Sequence, residues 1–177
     1  MSCDISLGRI EQCKDSLGGL AACYFINYQN LEPIQYGTGN ETDTIFRIAD
    51  DNVVNAYKYE LKGTSTFEQT VTSSRENGST FVEQKLTLNL KKLTIADHKQ
   101  LRLLAYGRPI IVVQDRNNNW FISGLTKGMD LVTANITTGA SMGDASSYNL
   151  EFQGMELKPA NFMSYINIGD MLNIIPG

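Results

Sequence analysis

The chain has 177 residues, 42% of them hydrophobic, with 15 Lys and Arg against 19 Asp and Glu for a formal net charge of −4. That length suits one domain of ordinary size with enough apolar material for a core that needs neither disulfide nor metal, and it excludes a chain disordered throughout. The acidic balance excludes a basic footprint for wrapping nucleic acid, and apolar runs such as Pro109 to Val113 fall far short of the ~20 residues of a membrane helix, so no membrane association is expected.

The opening Met1-Ser2-Cys3-Asp4 lacks the basic and apolar regions of a secretory leader. Cys3, Cys13 and Cys23 are odd in number and match no common zinc or redox spacing. They read as reduced thiols, with Cys23 in the core. Sequons at Asn40, Asn77 and Asn135 matter only in a secretory pathway. Strands are predicted near 20–29, 43–48 and 53–62. From Phe81 to Leu93, apolar residues alternate with Lys85, Thr87, Asn89 and Lys91, the period-2 pattern of a strand with one wet face. Thr66 to Thr72 alternates in the same way, and Asn77-Gly78 lies between the two runs. Both residues tolerate positive φ, so the spacing predicts a long hairpin over about 64–92 with its tip at 75–79. A lone two-stranded arm is marginal in water; it must lie on the body or be covered by another chain.

Thr94 can cap a helix over 95–106, with Asp97 as a capping-box-like partner, Gly107 past the end and Pro109 as terminator. Leu101, Leu104 and Ala105, with Ile95 and His98 near the start, supply one face of an amphipathic lid. A second hairpin is predicted from 110–115 and 120–125 across Arg116-Asn117-Asn118-Asn119, then strands over about 129–138 and 147–157. The fold class is therefore mainly β: a β-sandwich or β-barrel of about eight or nine strands with one flanking α-helix. Residues 1–162 form a single β-rich domain with an N-terminal arm. Residues 163–177 read as a C-terminal arm at a subunit contact, because Ile166, Ile168, Met171, Leu172, Ile174 and Ile175 are too many apolar side chains to leave wet. The competing reading makes this segment the last edge strand of the same domain.

The residues offer no catalytic set, no cofactor site and no metal site. A lone His98 cannot build a multi-histidine centre. As a general base it needs a nucleophile and an orienting carboxylate from elsewhere. Asp50-Asp51 read as turn residues rather than paired acid and base. The glycines lack the spacing and the lysine of a phosphate loop. A binding module could use Trp120 and Tyr148, and a small hydrolase Asp50, Asp51 or Glu83, but Trp120 reads first as a core residue and no second convergent group joins the carboxylates. The chain is not expected to be an enzyme.

Ser-Arg-Glu-Asn-Gly-Ser-Thr at 74–80, the alternation Phe81-Val82-Glu83-Gln84-Lys85-Leu86-Thr87-Leu88, the helix end Leu104-Ala105-Tyr106-Gly107-Arg108-Pro109, and Gly139-Ala140-Ser141-Met142-Gly143-Asp144 ahead of Tyr148 to Glu156 are the most individual stretches. Together they resemble virion structural proteins of tailed bacteriophages, of the tail-tube type and including the stacked tail-ring proteins of crAss-like phages. The resemblance covers about residues 1–162. It implies a homo-oligomeric ring around a DNA passage, with other virion tail proteins as partners, DNA passing without specific binding, and location in the virion after assembly in the host bacterial cytoplasm. It also implies that the hairpin tip, Arg75, Glu76, Asn77 and Gly78, and the terminal arms touch neighbouring subunits. A channel through which DNA slides should not hold phosphate, and a net charge of −4 without a basic run agrees with that. A decoration or head–tail connector protein is the neighbouring structural alternative, and a non-catalytic ligand-binding β module the non-structural one.

Overall fold

The computed structural model describes residues 8–10, 14, 16–39, 42–49 and 53–177. The chain is mainly β. Its strands are β1 (Leu20–Ile26), β2 (Gln35–Tyr36), β3 (Thr44–Arg47), β4 (Val54–Glu60), β5 (Thr66–Ser74), β6 (Ser79–Lys91), β7 (Ile110–Asp115), β8 (Trp120–Ser123), β9 (Asp130–Thr137), β10 (Ser147–Glu156), β11 (Asn161–Met163) and β12 (Leu172–Ile175). Helix α1 spans Ile95–Tyr106, and the four-residue α2 spans Ile168–Met171. An eight-stranded sheet runs β12-β4-β1-β7-β8-β11-β3-β2, and a four-stranded antiparallel sheet runs β5-β6-β10-β9. The sandwich with a flanking helix is as expected. The additional strands are the short β2 and β11 and the terminal β12.

Strands β1 and β7 explain the layering. Alanine, tyrosine and isoleucine at 22, 24 and 26 of β1, with Ile110 and Val112 of β7, face one core; Cys23 and Phe25, with Ile111 and Val113, face the other. A strand buried on both faces loses the polar alternation of a half-wet one, which is why LAACYFI and IIVV read as continuous apolar runs. The first core lies inside the large sheet, which curls so that Val54 of β4 and Ile45 of β3 share one cluster with α2. The second core lies between the sheets, where Leu86 and Leu88 of β6 and Tyr148, Leu150 and Phe152 of β10 pack on Phe25, Ile111 and Val113. Phe25 meets Phe152 at 5.4 Å between ring centroids and Tyr59 edge-on at 4.9 Å.

The hairpin forms as the alternation dictates. β5 and β6 pair in unbroken antiparallel register from Thr66↔Thr87 to Ser74↔Ser79. Gly78 takes a φ of 60°, whereas Asn77 does not adopt a positive φ, so only the glycine of the Asn-Gly step uses that conformation. Helix α1 is capped at its start: the Asp97 amide donates to Thr94 Oγ1 at 3.1 Å while that hydroxyl donates to the Asp97 carboxylate at 2.5 Å. At its end, Gly107 has a φ of −92° rather than a left-handed one, so the helix stops ahead of Pro109 without a glycine-specific cap. Its apolar face is narrower than the sequence suggests. Only Leu101 and Leu104 pack on the inter-sheet core, while Ile95 and Tyr106 are 94% and 87% exposed. The 116–119 turn is held less by its asparagines than by Asp115, whose carboxylate accepts from the amides of Asn117 at 2.8 Å and Asn119 at 2.7 Å.

The loop between β8 and β9 depends on two glycines. Gly128 has a φ of 77°, and a Cβ there would come within 2.7 Å of the Arg108 carbonyl oxygen. Neither the backbone conformation nor the backbone neighbour can yield cheaply. Gly128→Ala is therefore expected to destabilise the fold by about 1–3 kcal/mol, measured as a lower Tm and a lower midpoint in urea at unchanged m-value.

Candidate functional site

The hairpin is anchored at its base and free at its tip. Gln69 of β5 accepts the Ala160 amide at 2.7 Å, and Phe67 packs on the inter-sheet core. The β6–β10 ladder stops at Val82↔Glu156, so, among the described residues, 72–74 and 79–81 extend past any third strand and carry the turn 75–78 outward. Along this projection, Ser73 and Thr80 share a hydrogen bond at 2.9 Å and Ser74 Oγ accepts the Asn77 amide at 3.3 Å. Arg75, Glu76, Asn77 and Gly78 are all exposed. Val71, at the root of the projection, is 59% exposed. The sequence thus located the tip correctly, and the structure presents it to solvent.

The C-terminal residues behave otherwise, and the expectation for them is corrected. Ile168, Met171 and Leu172 are 6%, 2% and 2% exposed, inside the core of the large sheet. β12 then pairs in parallel with β4, from Leu172↔Val54 to Ile175↔Tyr57. Residues 163–177 therefore complete their own domain, as in the competing edge-strand reading, and are not a free arm. The reason is geometric: the curled sheet leaves an apolar concavity that Ile168 and Met171 fill. Ile166 and Ile174 remain exposed and Ile175 is half-buried, so these three alone of the named set stay at the surface.

The remaining singled-out residues fall into structural places. Trp120 stacks on Tyr24 at 4.9 Å, with its indole N–H donating to Asn118 Oδ1 at 3.3 Å. Tyr148 is buried, its hydroxyl donating to the Thr94 carbonyl at 3.2 Å. The two are not brought together into a binding surface. His98 is exposed on α1, and Glu83 accepts from Gln153 Nε2 at 2.5 Å on the outer face of the small sheet. Cys23 is fully buried, and desolvation pushes its thiol far above the ordinary range. Cys3, Cys13, Asn40, Asp50 and Asp51 lie outside the described residues. Among the described residues, no three His, Cys, Asp or Glu side chains converge as a metal site, and no helix is long and apolar enough to cross a membrane.

Two features were not legible beforehand. The first is the outer face of the small sheet, polar along its rungs except at Met155 and Phe81. Lys85 pairs with Glu151 at 2.9 Å, and Asn89 donates to Asn149 at 2.5 Å. Thr66, Glu68 and Thr70 stand opposite Thr87, Lys85 and Glu83. Glu68, Glu83 and Glu151 there outnumber two ammoniums, Lys85 and Lys91. Among the described residues, neither β5 nor β9 has a strand on its outer side. Alternation showed that β6 has a wet face, but no local signal says which strands become edges. The second is a cleft of about 370 Å³ between α1 and the large sheet, lined by Phe25, Tyr28, Tyr57, Tyr59, Leu103 and Arg108. These aromatics come from different elements and form no motif in sequence. Desolvation raises the Tyr59 phenol above its usual value. The chain matches no family model, no curated protein and no solved structure.

Proposed function

We propose that the protein is a structural subunit of a tailed-phage virion, of the tail-tube or tail-ring type, that assembles into homo-oligomeric rings around a passage for DNA. The observation that carries this reading is the four-stranded sheet, open at both edges among the described residues. β5 and β9 run in opposite directions, because every pairing in the order β5-β6-β10-β9 is antiparallel. The β5 of one copy laid beside the β9 of the next therefore makes an antiparallel pair. Such a contact is head-to-tail, so it repeats, and it closes into a ring where the rotation permits. In such a ring the polar outer faces line the hole. With carboxylates in excess there, DNA phosphates pass without releasing the counterions that make a protein hold DNA. The projecting 72–81 segment supplies a further contact to a neighbouring ring or another tail protein, since two strands alone are marginal in water.

Electron microscopy of the purified protein, across a wide concentration range, tests the reading. Closed rings or stacks with a central hole are expected. A strictly monomeric species at all concentrations overturns it. A second reading, a non-catalytic ligand-binding β module, is favoured by the aromatic cleft under α1; it expects a monomer whose Tm rises with a small ligand. A decoration or head–tail connector role shares the assembly and is separated by where the protein sits in a virion.

A further inference from the structure

The tip of the projecting hairpin carries the chain's single Asn-Gly step, Asn77-Gly78. Three features together favour reaction at Asn77. Gly78 has no Cβ, and a Cβ built there meets nothing within 4 Å, so its backbone nitrogen is open to approach. The Asn77 carboxamide has no hydrogen-bond partner among the described residues, whereas Asn89, Asn117, Asn119, Asn161 and Asn173 all donate from theirs. The turn is also exposed, at a loop tip of the kind where backbone mobility concentrates.

We propose that Asn77-Gly78 is a self-modifying site, at which the asparagine converts to aspartate and isoaspartate through a cyclic imide. The Gly78 backbone nitrogen gives its proton to solvent base and attacks Asn77 Cγ. The N–Cγ bond forms, the Cγ–Nδ2 bond breaks, and the side-chain nitrogen leaves as ammonia after taking up a proton. Water then opens the five-membered ring at either carbonyl. Opening at one regenerates the ordinary backbone as aspartate; opening at the other routes the backbone through Cγ and adds a methylene to the turn. Nothing but water is consumed and nothing but ammonia is released. Each event places a new negative charge beside Glu76 and Arg75, on the segment proposed to touch a neighbour. A subunit left unassembled thus ages at its contact, while one whose tip is covered is protected. This protection, unlike the chemistry, rests on the ring reading.

Peptide mapping by mass spectrometry, following the full chain in mildly alkaline buffer over time, tests the site. Asn77 is expected to convert ahead of every other asparagine, with an acidic shift of one charge on isoelectric focusing that Asn77→Gln abolishes, since its longer side chain does not close the five-membered ring. Persistence of intact Asn77 in the free chain, whether or not other asparagines convert, overturns the proposal. Where rings are isolated, Asn77 is expected to convert more slowly in them than in free subunits, and equal rates refute the protection. If no ring forms, the ring reading fails by itself and the free-chain map still decides the chemistry.

Discussion

Deletion of residues 164–177 is expected to leave a chain that does not fold. Ile168, Met171 and Leu172 are almost wholly buried in the core of the large sheet. At roughly 1.5–3 kcal/mol for each side chain, their loss removes about 4.5–9 kcal/mol, comparable with the whole stability of a typical domain at about 5–15 kcal/mol. The deletion also strips the β12 ladder from β4 and uncovers Val54 and Ala56 on the inner face. Circular dichroism and thermal melting at low concentration measure it: loss of the cooperative transition is expected. A milder variant, Met171→Ala, should keep the fold at a cost of about 2–5 kcal/mol. A truncated chain that melts cooperatively near the parent Tm would show that the segment contributes little to its own domain.

The hairpin tip should respond in the opposite way. Replacing residues 73–80 by a two-residue Asn-Gly turn joins the cross-strand partners Thr72 and Phe81, and a two-residue turn of that type suits the strand twist. The excised residues are exposed apart from the half-buried Ser74, and none belongs to either core. Monomer stability is therefore expected to stay within about 0.5 kcal/mol of the parent, as for surface changes generally. Assembly should weaken at least about tenfold, equivalent to about 1.4 kcal/mol per contact, as read by analytical ultracentrifugation. Oligomers of unchanged affinity would remove the projection from the interface.

These two segments also mark where sequence reasoning succeeds and where it stops. The hairpin was legible because its determinants are local: alternation from Phe81 onward and Asn77-Gly78 at the turn. The same holds for Thr94 and Asp97 at the start of α1, where both cap partners lie within one turn. The C-terminal strand was misassigned because its partner is remote. Nothing in Leu172-Asn173-Ile174-Ile175 names β4, and parallel pairing at an edge leaves no turn signal. The apolar face of α1 was over-read, since helical spacing states which residues share a face but not how much of that face a sheet will cover. Of the candidate contact, the tip was found from sequence and the open edges of β5 and β9 were not, because an edge is defined by strands that are absent.

The parallel β12–β4 pairing has a consequence for synthesis. Asn173 donates to Asn55 across 118 residues, and Asn161 reaches the Asp43 carbonyl across the same separation. Loops of that length close slowly relative to local contacts. While the chain is being made, β4 waits without its outer neighbour and the inner concavity without its filling until residues 161–175 have left the ribosome, a period in which apolar surface stands open to misassembly. A chain that lacks these last residues is therefore expected to carry the complete hairpin on a body that does not fold.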